Sequence, residues 1–296
     1  MKIAAILIDT CRELLYRKTL IIFFGMVTLT HLFFILALQT DVADGAIASM
    51  RLFGMEGNAS GGDLSFGSGR SLPAGELSAG SFVRGAQMGV VFFLYPLGIL
   101  LSLFATASLV PRMIHQGAID LLLSKPMSRT RIFLARYLGA LLVGGGNLLY
   151  LVAGLGIILW AKTGYWNGGL ILSGLVMTLY FAALLGFLVL IGTISRSTTV
   201  SIMVTALMFF VGLVVRFPHQ NSEWPLLITG HAWRFVSVAV VEVLYHALPR
   251  TYDFGEIAGN LILQRGPITW GPILNTVLTG AVALAAATVY FKRTDF

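Results

Sequence analysis

Long uncharged apolar stretches recur along the chain at about 19–38, 89–110, 137–160, 169–194, 199–215 and 272–290, separated by segments that hold the charge. A hydrocarbon layer about 30 Å thick takes roughly 20 apolar residues as helix, so these lengths predict six membrane-spanning helices. The stretches are continuously apolar, whereas barrel strands would alternate over about ten residues each. Only tight turns separate the third, fourth and fifth.

Three further segments alternate apolar and polar positions at helical spacing. In residues 2–18, Ile3, Ala4, Leu7, Ile8, Cys11, Leu14 and Leu15 recur on one face, with Lys2, Asp9, Arg12, Glu13 and Arg17 largely opposite. This predicts an amphipathic helix lying in the membrane interface, either a simple anchor or a partner contact. Its dispersed charges, and the full-length span that follows, argue against a cleavable signal peptide. In "HAWRFVSVAVVEVLYHALP", residues 231–249, an apolar helix-length run carries Arg234, Glu242 and His246. It reads as an amphipathic helix on the membrane face, followed by a second short helix near 254–263. Residues 216–271 are therefore expected as an amphipathic insertion before the last span, and residues 39–88, rich in Gly, Ser and Ala, as a flexible loop.

Composition sets the class. Of the 296 residues, 57% are hydrophobic and 11% charged, which excludes a water-soluble globule of this size. The expected fold is an all-α integral membrane protein forming one domain. Lys and Arg fix its orientation, because cytoplasmic loops carry the excess. Of the 20, twelve fall on the side of both termini and eight on the other, where they are spread over about twice the length. Both termini are expected in the cytoplasm, and residues 39–88 and 216–271 outside. The net charge of +7 follows from this bias and suits anionic lipid; no basic cluster supports nucleic-acid binding. The one cysteine, Cys11, excludes an internal disulfide. The Asn58-Ala59-Ser60 sequon matters only in a eukaryotic secretory pathway, for which nothing argues, and the expected location is the inner, cytoplasmic membrane of a prokaryote.

Candidate chemistry is sparse. His219, His231 and His246 share the outer insertion with Glu223, Glu242, Asp253 and Glu256, but their separations match no compact ligand motif, and no metal site is expected. His31 lies inside the first span, where an ionisable group is a functional candidate by default. His31, Asn147, Tyr150, Tyr180 and Asn275 are scattered and the spans contain no acid, which disfavours an intramembrane enzyme or a proton-coupled carrier. Small residues at 85, 89, 135, 139–140, 144–146, 154 and 156 permit close helix approach, within the chain or at a dimer seam.

Residues 117–129, "GAIDLLLSKPMSR", stand apart between the second and third spans. The run from Gly117 to Ser124 forms helix with one acid, Asp120; Lys125-Pro126 ends it, and Ser128 offers an N-cap to the helix entering the third span. Such a rigid helix-turn, within a cytoplasmic segment 111–131, suits transmission of force from a soluble partner.

Here the sequence resembles the permease subunits of ABC-2-type ATP-binding-cassette transporters, which carry a coupling helix close to G-x-(small)-x-x-L-L-S-x-P-V-S-R at this place. Gly117, Leu122, Leu123, Ser124, Lys125, Pro126, Ser128 and Arg129 fit that pattern, with Met127 where valine is common. The N-terminal "RELLYRK", the six spans, the outer insertion and the tail "YFKRTDF" extend the resemblance over nearly the whole chain. Where relatives often carry a Glu-rich run before the coupling segment, this chain reads "PRMIHQG".

The resemblance implies an exporter permease that pairs as a homodimer or close heterodimer and works with two copies of a separate ATPase. No G-x-x-x-x-G-K-[ST] motif occurs in the chain, so ATP and Mg are expected on that partner and no cofactor on this chain. The expected coupling residues are Gly117, Ile119, Asp120, Leu121, Leu122, Leu123, Ser124, Lys125, Pro126, Ser128 and Arg129. Asp120, Lys125 and Arg129 are the polar docking candidates, and Leu121 to Leu123 fill the ATPase groove. The competing expectation is an ATP-driven complex that transmits force to an extracytoplasmic accessory protein without moving a solute.

Overall fold

In the computed structural model the described residues are 2–16, 18–43, 46–52, 55–60, 63–66, 70–73, 79–109, 128–220 and 234–293. Helix α1 (Lys2–Leu15) precedes α2 (Lys18–Ala37); α3 (Ala79–Thr106), α4 (Arg129–Thr163), α5 (Gly168–Ser195) and α6 (Thr198–Val214) follow. Then come the short α7 (Arg216–Gln220), α8 (Arg234–Ala247), α9 (Thr251–Leu263) and the last long helix, α10 (Trp270–Arg293).

Helices α2, α3, α4, α5 and α10 are long and apolar enough to cross a membrane, while α6 is shorter at 17 residues. Helix α3 starts ten residues before the apolar run that announces it, because the polar positions Arg84 and Gln87 continue the helix and find partners beyond the apolar layer. Pro96 lies inside α3. Local signals set the ends of the others. Gly164 closes α4 in the left-handed region at φ 70°, where a side chain would be strained. Asn167 caps α5 by accepting from the Gly169 amide at 3.1 Å, and Ser197 caps α6 through Val200 N–H.

Helix α5 forms the centre. Of its apolar window 56% is buried, against 22% for α2, and it packs on α10, α9, α4 and α6. In hydrocarbon, burial of apolar surface does not drive helices together, so close packing must. Gly186 of α5 and Gly280 of α10 meet backbone to backbone, with no room for a Cβ on either. Val152 of α4 fills the space above Gly174, and the Phe181 ring and Ser102 fill that beside Gly144. The small residues at these positions thus serve packing within the chain, whereas Gly85, Gly89 and Gly146 face open space. Stacked Phe133 and Phe291, 5.0 Å apart, bring the start of α4 to the end of α10, so both termini lie at one end of the bundle.

Residues 38–73 correct the sequence reading. In place of the expected flexible loop the otherwise helical chain carries a five-stranded antiparallel meander, β1 (Leu38–Ala43), β2 (Ala46–Leu52), β3 (Met55–Ser60), β4 (Asp63–Phe66) and β5 (Arg70–Pro73). Its register pairs Ala43 with Ala46, Leu52 with Met55 and Ser60 with Asp63, each leaving two residues between strands. Those pairs are Asp-Gly, Phe-Gly and Gly-Gly in sequence, and Asp-Gly and Gly-Gly favour two-residue hairpins.

Candidate functional site

The predicted coupling residues Gly117, Ile119, Asp120, Leu121, Leu122, Leu123, Ser124, Lys125 and Pro126 lie outside the described residues. Their exit is described. Ser128 sits extended at the N-cap of α4 and its carbonyl accepts from Arg131 N–H at 3.0 Å, while its hydroxyl makes no capping bond. Arg129 is partly buried and Arg131 exposed.

Two turns further on, α4 grips α1. Arg136 Nη1 donates to Glu13 Oε2 at 3.2 Å, Thr10 stands against Gly139 where any Cβ would overlap it, and Cys11 Sγ lies 3.9 Å from the Gly139 carbonyl. Thr10 also returns its hydroxyl to the Ile6 carbonyl at 2.8 Å, which frees its methyl to face the glycine. Burial raises the Cys11 thiol above its ordinary pKa. Helix α1 is thereby attached to the start of α4.

His31 does not stand alone in the bundle. It is 6% exposed, its Nε2 is 3.1 Å from the Leu151 carbonyl, and its ring meets Tyr150 edge-on at 5.0 Å. Gly154 makes room for that ring. These contacts join α2 to α4. Tyr180 bonds Thr251, and Asn275 donates to the His246 carbonyl at 3.2 Å, so these scattered polar candidates also act between helices.

A polar cluster at the end opposite the termini had no signature in the sequence. Arg216 of α7 pairs with Asp253, 3% exposed, and with Glu256 at 2.6 Å, both on α9. Tyr245 of α8 donates to Asp253 Oδ2 at 3.0 Å, and the Arg216 guanidinium lies 4.7 Å from the Tyr252 ring centre. Burial alone would lower the Arg216 pKa; the Asp253 and Glu256 carboxylates outweigh it and raise it. Burial and then the Asp253 carboxylate push the Tyr245 phenol up, keeping it a donor. His219 stacks on Tyr245 at 3.8 Å and is 2.9 Å from Glu242, which His246 also approaches at 3.5 Å.

A second network closes the same end. Asn167 donates to Gln87 at 2.7 Å and to the Ile262 carbonyl at 2.9 Å, and accepts from Gln264 at 3.3 Å. Arg84 donates to Tyr165 at 2.9 Å. The carboxylates are thus engaged by Arg216, Tyr245 and the histidines. Among the described residues no group of three or more His, Cys, Asp or Glu is placed to hold a metal ion. His231 and Glu223 lie outside them. The pairs span up to 180 residues in sequence, Arg84 to Gln264, and no fixed spacing marks them.

Among the described residues no long apolar helix carries a carboxylate. The arrangement offers helices that tie to one another and a basic edge, Arg129, Arg131 and Arg136, where α4 begins. A family model described as ABC-2 family transporter protein matches residues 15–296. No curated protein and no solved structure matches the chain.

Proposed function

The chain belongs to the ABC-2 family of transporter proteins, and from that premise we propose that it is the permease of an ATP-driven exporter. As a member it is a multi-pass membrane component that works with an ATP-binding-cassette ATPase. Our reading adds the direction, the assembly and the point of force. Two copies pair side by side, each with one ATPase beneath it, in the inner membrane of a prokaryote.

Helix α6 is the sixth span: 17 residues rise about 25 Å, enough for a thinned or locally covered crossing. With six spans both termini lie in the cytoplasm, in keeping with the Lys and Arg bias. ATP-driven closure of the ATPases presses on residues 117–129, with Asp120, Lys125 and Arg129 as polar contacts and Leu121 to Leu123 in the ATPase groove. The push enters α4 at Ser128 and reaches α1 through Arg136 and Glu13. Two bundle states that differ in their contact with the ATPase supply the coupling energy.

The observation that carries this reading is a family match over residues 15–296 of a chain that has long apolar helices and no ATPase motif of its own. The test is co-purification. A tagged chain, extracted in mild detergent, should bring down an ATP-binding-cassette ATPase, and the variant Asp120→Arg with Pro126→Ala should lose it. Recovery of no ATPase from wild type would overturn the proposal. The meander at 38–73 gives the chain a folded element at the end away from the termini, which favours as second reading an output to an extracytoplasmic protein. That reading gains if such a protein, and no amphiphile, changes the rate of ATP hydrolysis.

A further inference from the structure

The two halves of α3 are held differently. Toward the end opposite the termini, polar bonds tie it to its surroundings: Arg84 donates to Tyr165 at 2.9 Å, Gln87 accepts from Asn167 at 2.7 Å, and Tyr95 bonds Ser173 of α5 at 2.8 Å. Past Tyr95 these ties stop. Among the described residues, the side-chain hydrogen bonds of this second half are those of Thr106 to the Ser102 and Leu103 carbonyls, inside the same helix. Pro96 stands at the changeover. It has no N–H for the Phe92 carbonyl, and a proline inside a helix is where that helix bends. From Pro96 to Thr106 α3 runs about 15 Å with shape contacts in place of polar ones, the Phe23 ring of α2 over Gly98 and Ser102 against Gly144 of α4.

Polar groups along this stretch are left over. Among the described residues five buried side-chain atoms have no hydrogen-bond partner: Ser102 Oγ, Ser108 Oγ, Arg136 Nε, Asn147 Oδ1 and Thr205 Oγ1. All but Thr205 lie on α3, just past its end, or on α4. The Ser102 Cβ is 3.3 Å from where a Cβ on Gly144 would stand, and Asn147 follows Gly144 by one turn of α4. The polar ties of α4 at this end go to other helices, from Arg136 to Glu13 of α1 and from Tyr137 to the Ala182 carbonyl of α5 at 2.8 Å. A hydroxyl or carbonyl kept from water without a partner is unfavourable, and in hydrocarbon no apolar driving force closes the seam over it.

We propose that α3 bends at Pro96, so that its second half parts from α4 and water enters the seam as far as Ser102 and Asn147. The bonds of Arg84, Gln87 and Tyr95 keep the first half in place. Residues 107–128 join the two helix ends that separate, so an ATPase pressing on 117–129 drives the opening. That drive rests on the permease reading; the opening itself does not.

Two serines of equal burial give the test. Ser102 and Ser173 are both 0% exposed, but Ser173 is bonded to Tyr95 and to the Leu170 carbonyl. In the full-length chain carrying Cys11→Ala, in phosphatidylcholine nanodiscs, Ser102→Cys and Ser173→Cys are treated with trimethylammonium-ethyl methanethiosulfonate, a charged reagent that travels in water. Ser102→Cys should react about tenfold faster or more, because labelling of a buried position follows its free energy of local opening. Ser108→Cys, nearer the opening, should react faster still and reads the same opening if Ser102→Cys does not fold. Added to Ser102→Cys, Asn147→Leu removes the unpaired carbonyl from the closed seam and should slow labelling about tenfold. Pro96→Ala gives the Phe92 carbonyl its N–H and should also slow it.

Equal rates at Ser102→Cys and Ser173→Cys, or no reaction at Ser102→Cys and Ser108→Cys, overturn the proposal. So does reaction with the lipophilic N-phenylmaleimide alone, which means a seam that opens to lipid, and so does an unchanged rate with Pro96→Ala, which removes the bend. The assay contains no ATPase. Labelling at Ser102→Cys with no ATPase co-purifying leaves the cleft standing and the permease reading fallen; an ATPase recovered with Ser102→Cys unreactive does the reverse.

Discussion

At the end that carries the termini, α1 is held to α4 by a glycine seat under Thr10 and by the partly exposed pair Glu13 and Arg136. At the opposite end Arg216, Asp253, Glu256 and Tyr245 interlock three helices, and Asn167 gathers Gln87, Gln264 and a backbone carbonyl. The first junction is mostly shape; the second is mostly charge and hydrogen bonds. A shape contact in lipid slides or parts for little free energy, since the lipid it exposes is as apolar as the surface it covered. A buried network resists parting, because each separated group is left without a partner. On the permease reading, a bundle built this way is expected to hinge at its far end and to give at its terminal end, where α4 begins.

The contrast is broken most severely by removing the acid at the centre of the far network. Asp253→Ala leaves Glu256 as the one carboxylate on Arg216 among the described residues, and Tyr245 without its acceptor. A loss of about 3 kcal/mol is expected, the low end for a broken buried pair because Glu256 keeps its hold. Thermal unfolding of the detergent-solubilised chain reads it as a clear drop in Tm. An unchanged Tm would mean that the far end is not the rigid one.

At the terminal end the matching perturbation is steric. Gly139→Val drives a side chain into Thr10 and should destabilise by about 2 kcal/mol, as overpacking does. The sharper readout is local. If α1 is held by shape, it swings off α4 and Cys11, freed of the burial that raises its thiol pKa, forms more thiolate at pH 8. Bimane labelling then speeds several-fold, with far-end accessibility unchanged. Labelling at the wild-type rate would show that the ion pair, not the glycine, positions α1.

Much of this was legible in the sequence, for reasons that also explain the rest. Runs of about 20 apolar residues have one solution in a bilayer, so α2, α4, α5 and α10 fall within a few residues of expectation in most cases. Hydropathy could not see that α3 begins at Ala79, because Arg84 and Gln87 interrupt the apolar run while the helix continues to Tyr165 and Asn167. The meander was missed although Asp44-Gly45 and Gly61-Gly62 announce hairpins, because its strands lack strong apolar alternation. His31 was visible as an oddity, but its partner is the Leu151 carbonyl, and main-chain partners leave no trace in side-chain identity. Arg216 and Asp253, 37 residues apart, meet only in the fold, and no spacing in the sequence joins them. The family resemblance at 117–129 was readable because that segment's pattern is local.

A smaller effect separates hydrogen bonding from charge in the far network. Tyr245→Phe removes the donor to Asp253 while leaving Arg216 in place and the ring against His219 and Arg250. About 1 kcal/mol should be lost, the net worth of one such bond. Since the phenol pKa is raised by burial and by the carboxylate, the bond persists across neutral pH and fails only as the phenol ionises in strong alkali. Wild type and Tyr245→Phe should therefore differ in Tm by the same amount at pH 6 and pH 9.

Glu13→Gln should matter least to stability and most to the comparison. The pair is 3.2 Å long with Glu13 30% exposed, so screening limits it to about 0.5–1 kcal/mol, and Arg136 Nε is already buried without a partner. Tm should hardly move. Yet this pair and the Gly139 seat join α1 to the start of α4, so on the permease reading the variant should lower ATP hydrolysis stimulated through the chain while ATPase binding is kept. The exchanged double variant, Glu13→Arg with Arg136→Glu, should restore part of it. A Tm drop as large as that of Asp253→Ala would make the two ends alike and remove the reason to place the hinge at the far one.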